Sequence, residues 1–133
     1  MNIFNSIFLI ILLISSYTDM KARIISNKLM IVSFIIGIIL NILYTTNYYI
    51  IFSLILYIIF LFSPIKGGGD VKLLSISILY IRENTSSFFC ILGFICLAIL
   101  IYFKIKDKKI TSIPLAPYIL TGYVINLITI SLL

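Results

Sequence analysis

Lys66-Gly67-Gly68-Gly69-Asp70-Val71-Lys72-Leu73 places a carboxylate behind three consecutive glycines, at the mouth of an apolar segment. Nearly everything around it is hydrocarbon: 62% of the 133 residues are hydrophobic and the mean hydropathy is +1.27. A soluble domain sits near roughly 45–50% apolar. The chain is therefore read as an integral membrane protein, all-α and polytopic, with no room for a second domain. An ionisable group at membrane depth costs about 2.5–3.5 kcal/mol on insertion scales, so Asp70 is a functional candidate by default. Glycines beside it remove Cβ bulk and let another part of the chain come close.

Working outward, apolar runs occupy 3–17, 29–44, 48–62, 71–81, 88–103 and 113–133. A helix needs about 20 residues to cross the hydrocarbon core, with roughly 17 as the lower limit. Most runs reach that once their polar flanks are included; the fourth, behind the glycines, is short. Residues 1–18 carry no Lys or Arg ahead of their apolar run, so they form a retained first span rather than a signal peptide.

Charge decides the number of spans. With six spans, Lys21, Arg23 and Lys28 fall on the first connection, Lys66 and Lys72 on the third, and Lys104, Lys106, Lys108 and Lys109 on the fifth. Only Arg82, beside Glu83, lies on another connection. Basic residues on alternate connections are what the positive-inside rule requires. A five-span chain would put the 104–109 cluster on the wrong side. The expectation is one domain, 1–133, forming a six-helix membrane bundle with both termini outside. The net charge of +6 flanks apolar spans rather than covering a face, so it does not imply nucleic acid.

Ser33, Gly37, Asn41, Ser75, Ser77, Gly93 and Asn126 suit close helix packing in lipid. Pro114 and Pro117 mark the opening of the last span, where proline loses little hydrogen bonding. The sequence has no histidine, which excludes a Ser-His-Asp triad, a Cys-His pair and a His-ligated zinc. Cys90 and Cys96 fit neither a CxxC nor a zinc knuckle and are expected to be buried free thiols. No cofactor or metal is expected.

Of the four acidic residues, Asp107 sits among lysines and Glu83 follows Arg82. Asp19 ends the first span and Asp70 begins the fourth, so by this topology both lie at the cytoplasmic end. Two carboxylates in contact in a low-dielectric site hold one proton between them. One can then take a proton from water while the other donates to a carbonyl oxygen. The competing reading pairs each with a local base: Asp19 with Lys21 or Arg23, and Asp70 with Lys66 or Lys72. Lys72 either snorkels to the surface or biases the pair electrostatically; the second is favoured.

Gly67-Gly68-Gly69-Asp70-Val71-Lys72-Leu73 resembles the GxGDxKL signature of the type IV prepilin and preflagellin peptidases, a family of GxGD intramembrane aspartyl proteases. Asp19, followed after five residues by Ile25-Ser26-Asn27, resembles the family's aspartate with its downstream Ile-Pro-Asn. Ile113-Pro114-Leu115-Ala116-Pro117-Tyr118 resembles the proline-bearing start of the family's last helix. The resemblance implies that Asp19 and Asp70 are the catalytic aspartates and that Gly67 and Gly69 are the motif glycines. Asn27, Lys72, Pro114 and Pro117 would support them. It implies a prepilin-like precursor as substrate, cut between a short cytoplasmic leader and an apolar helix. The basic loops would not attract a basic leader, so recognition is expected to rest on the apolar helix.

Ser26 stands where the family has proline. The chain begins with the Asp19 span, without the paired CxxC region of the bifunctional members. A peptidase without methyltransferase activity and without zinc is expected. Two other classes compete: a small proton- or cation-coupled transporter, and a non-catalytic assembly subunit. Oligomeric state is not readable from the sequence.

Overall fold

The computed structural model describes residues 3–22, 25–44, 47–61, 68–106 and 114–132. Gly67, Lys66, Arg23 and Asp107, singled out above, lie outside the described residues. The described residues form α1 (Ile3–Ala22), α2 (Asn27–Leu43), α3 (Asn47–Leu61), α4 (Gly68–Ile81), a 3-10 turn (Arg82–Asn84), α5 (Thr85–Ile105) and α6 (Ala116–Leu132).

The shortest helix is the centre. α4 packs against all five of the others, while α3 rests on α4 and α2 and α6 bridges α1 and α5. Residues 75–81 of α4 are buried on every side of the helix. Phe4, Phe8, Leu12, Met30, Phe88 and Tyr123 close the core around it. Phe8 stacks on Tyr80 at 5.2 Å between ring centroids and meets Tyr123 edge-on at 4.9 Å.

Polarity runs from inside to outside in the sense a bilayer demands. Ser15, Ser33, Asn41, Ser53, Ser75, Ser77 and Asn126 are buried, whereas Ile10, Leu13, Ile35, Phe52, Ile58 and Phe94 face outward. In lipid the apolar faces need no cover, but interior polar groups must be satisfied within the protein. Asn41 Nδ2 donates to Leu79 O across to α4 and to Gly37 O on its own helix, both at 2.8 Å. Ser53 Oγ donates to Ser75 O at 2.8 Å, and Tyr80 Oη donates to Ser33 O at 2.7 Å. Gly37 makes the α2–α4 approach possible: a Cβ there would lie 2.9 Å from Leu79 Cδ1 and 3.2 Å from the Tyr80 ring.

The contacts between helix ends define two poles. At one, Phe4 of α1 meets Tyr44 after α2, and the Arg82 guanidinium lies over the rings of Phe4 and Tyr49 at 4.9 and 5.7 Å. Arg82 has φ 57°, the left-handed region, at the point where α4 gives way to the 3-10 turn and α5. At the other pole the end of α1 meets the starts of α2, α4 and α6, as described below.

The all-α, multi-span class stands, and two residue readings are corrected, those of Gly93 and of the cysteines. Two helical stretches, Ile3–Ala22 and Gly69–Ile105, are long and apolar enough to cross a membrane by length and composition. The second is interrupted by the turn at Arg82, and α4 has only 14 residues, a rise of about 21 Å against a core of about 30 Å. Gly93 is exposed, with nothing within 4 Å of its Cβ position, so it is not a packing residue. Cys90 and Cys96 are free but not buried: Cys90 is exposed and Cys96 intermediate.

The two glycines give opposite expectations. Gly37→Ala should destabilise the bundle by about 1–3 kcal/mol through overpacking. Gly93→Ala should be neutral or stabilising by up to ~1 kcal/mol through helix propensity. Thermal unfolding in detergent measures both.

Candidate active site

Asp19 lies in the last turns of α1 and is only 5% exposed. A carboxylate near a helix C-terminus meets the negative end of that helix's dipole. Here a second helix offsets the cost. The backbone N–H of Ala116, the first residue of α6, donates to Asp19 Oδ2 at 3.1 Å. Asp19 thereby satisfies one of the orphan donors that every helix start exposes. Pro114 and Pro117 flank this amide, and both are partly buried. Proline suits these positions because it carries no N–H, leaving Ala116 to make the bond.

Asp70 lies in the first turn of α4, the favourable end of that dipole. It is half-buried, and its Oδ1 has no hydrogen-bond partner among the described residues. Ile25, six residues after Asp19, packs against Gly69, the residue before Asp70. The two candidate acids are therefore brought to one pole of the bundle, from helices that are far apart in sequence.

The groups approaching the glycine stretch come from the segment after Asp19. A Cβ on Gly69 would stand 3.0 Å from Ile25 Cβ, and Ile25 is buried. Lys72 Nζ donates to Asn27 Oδ1 at 3.0 Å. The Ile25-Ser26-Asn27 segment is thus clamped to the start of α4 twice, once by apolar contact and once by a hydrogen bond. The Lys72 ammonium is thus engaged by a neutral side chain at the start of α2. Ser26, in the place of the family's proline, is the N-cap residue of α2 and is extended, with φ −60° and ψ 123°. That φ is one a proline would also adopt, so the loop keeps its path without the ring.

Among the described residues, no three His, Cys, Asp or Glu side chains converge as a metal site. A cleft of about 430 Å³ lies at the opposite pole, lined by Tyr48, Tyr49, Phe52, Arg82 and Phe89 among others. Among the described residues lining it, Glu83 is the only carboxylate.

The fold and this pole define a class: a helical, multi-span membrane protein carrying two carboxylates where several helix ends converge. Residues 6–103 match the model of the type IV leader peptidase family, and the chain belongs to that family. No curated protein and no solved structure gives a significant match. The protein is an aspartic-type membrane endopeptidase whose substrates are prepilin-like precursors.

Two features of the site have no letter in the sequence. The Ala116 partner of Asp19 is a backbone amide, signalled only by the prolines around it. Ile25 as the neighbour of Gly69 becomes visible only once α1, α2 and α4 are packed.

Gly69→Ala should push Ile25 and the segment after Asp19 out of place. Misplacement of this kind costs about tenfold to hundredfold in rate. The check is the rate of precursor cleavage by the folded variant.

Proposed function

We propose that Asp19 and Asp70 are the catalytic pair of this peptidase. The observation carrying this reading is their convergence: of the acids in the described residues, these two stand at one pole, where Ile25 beyond Asp19 packs on Gly69 beside Asp70, and both fall inside the family match. One carboxylate takes a proton from water, and the resulting hydroxide bonds to the scissile carbonyl carbon. The other carboxyl gives its proton to the carbonyl oxygen. The tetrahedral intermediate then collapses: the C–N bond breaks, the amine takes the proton that the first carboxylate had received from water, and a hydroxyl of the intermediate returns a proton to the second carboxylate as the new carboxyl group forms.

Residues 1–133 form one domain in this reading, and all six helices lie across the plasma membrane. Both termini are outside and the aspartate pole faces the cytoplasm. Lys21, Lys28, Lys72, Lys104 and Lys106 belong to the connections assigned to that side. The short α4 is compatible with six spans because its neighbours screen it from lipid, and mismatch penalties act through lipid contact. The substrate's leader would then lie in the cytoplasm, with the cut at the start of its apolar helix. Transport is the weaker reading, because the acids sit at one pole, whereas secondary transporters bind near the midplane.

Co-expression with a prepilin-like precursor tests the pair. Wild type should shorten the precursor, while Asp19→Asn and Asp70→Asn should each leave it full length although folded. Normal processing by either variant would remove that residue from the mechanism. The pH–rate profile should fall on both sides, since one carboxyl must be ionised and the other protonated. Recognition is expected to rest on the substrate's apolar helix. A precursor with that helix shuffled and its leader intact should be cut poorly; equal cleavage would shift recognition to the leader.

A further inference from the structure

Hydroxyls within apolar helices usually bond back to a carbonyl one turn earlier. Ser33 donates to Leu29 O at 2.7 Å, Ser75 to Val71 O at 2.9 Å and Thr129 to Ile125 O at 2.9 Å. Ser53 instead reaches a neighbouring helix. Ser15 does neither. It is 0% exposed, and its Oγ has no hydrogen-bond partner among the described residues. An unpaired buried hydroxyl lowers stability, and alanine would avoid that penalty.

The position of Ser15 suggests what the hydroxyl is for. It precedes Asp19 by four residues in α1, so the two side chains lie on the same face, one turn apart. The buried side-chain atoms without partners among the described residues are Ser15 Oγ, Asp70 Oδ1, Arg82 Nε and Asn126 Nδ2. Arg82 lies at the opposite pole, over the rings of Phe4 and Tyr49, and Asn126 lies toward that pole, its Oδ1 accepting from Ser87 Oγ at 2.6 Å just past the Arg82 turn. Ser15 and Asp70 remain, and Asp19 links them: it shares a helix face with one and a pole of the bundle with the other. Buried polar atoms of this kind are the usual partners of ordered water.

We propose that Ser15 positions the hydrolytic water of this peptidase. This rests on the reading of Asp19 and Asp70 as the catalytic pair. The Ser15 hydroxyl accepts one O–H of the water. The other O–H is left for a carboxylate, and a lone pair is left for the scissile carbonyl carbon. Ser15 neither gains nor loses a proton. The water's proton passes to one aspartate, and the carbonyl oxygen receives its proton from the other.

The test uses the full chain in detergent or proteoliposomes with a prepilin-like precursor, measuring kcat, KM and thermal midpoint. Ser15→Ala should lower kcat by about ten- to hundredfold. KM should stay unchanged, and the midpoint should be equal or higher. Ser15→Cys, similar in shape with a weaker hydrogen-bonding group, should fall between alanine and serine in kcat. Asp19→Asn is the reference and should be inactive. Wild-type kcat in Ser15→Ala beside an inactive Asp19→Asn would overturn the proposal and leave the pair standing. A lower midpoint in Ser15→Ala, with Ser15→Cys no better in kcat, would also overturn it, in favour of a packing role. An active Asp19→Asn would overturn the pair, and this proposal with it.

Discussion

Everything in the bundle follows from one constraint on α4. Its residues 75–81 are buried all round, so the polar groups there must find partners inside the protein. Leu79 O is met by Asn41, Ser75 O by Ser53, and the Tyr80 hydroxyl by Ser33 O. Each such bond is worth only about 0.6 kcal/mol on average between membrane helices. Together they fix the depth and rotation of α2 and α3 against α4, which apolar contact in lipid leaves loosely specified. The register of α4 in turn sets where Asp70 stands.

The aspartate pole is assembled from unlike ends. Asp70 begins a helix, where its charge is welcome, and Asp19 approaches the end of one, where it is not. The start of α6 reverses that disadvantage by presenting the Ala116 amide. The segment after Asp19 is held to α4 by Ile25 on Gly69 and by Lys72 on Asn27. The two sequence motifs are therefore halves of one packed unit. A single glycine marks where they touch.

Much of this was legible in the residues. Asp19 and Asp70 stood out because acids are rare in an apolar chain, and Pro114 with Pro117 located the start of α6. Ser33, Gly37, Asn41, Ser75, Ser77 and Asn126 were read as interior, and all are buried. Gly93 was read the same way and faces outward, because a glycine in an apolar helix has the same letter on either face. The length of α4 was uncertain in the sequence for a related reason: burial by protein relaxes the length requirement that lipid imposes. Arg82 was read only as the neighbour of Glu83 in a connection, and it lies against Phe4 and Tyr49. Aromatic partners contributed by distant helices leave no local pattern to read.

The bond between Asp19 and Ala116 spans 97 positions of the chain. During synthesis Asp19 leaves the ribosome with α1, and its amide partner arrives only with α6. A nascent chain already inserted through α5 holds both aspartates, yet one of them still lacks the donor that seats it. Asp19 is thus seated only after the chain has been made through the start of α6, later than α4 and α5.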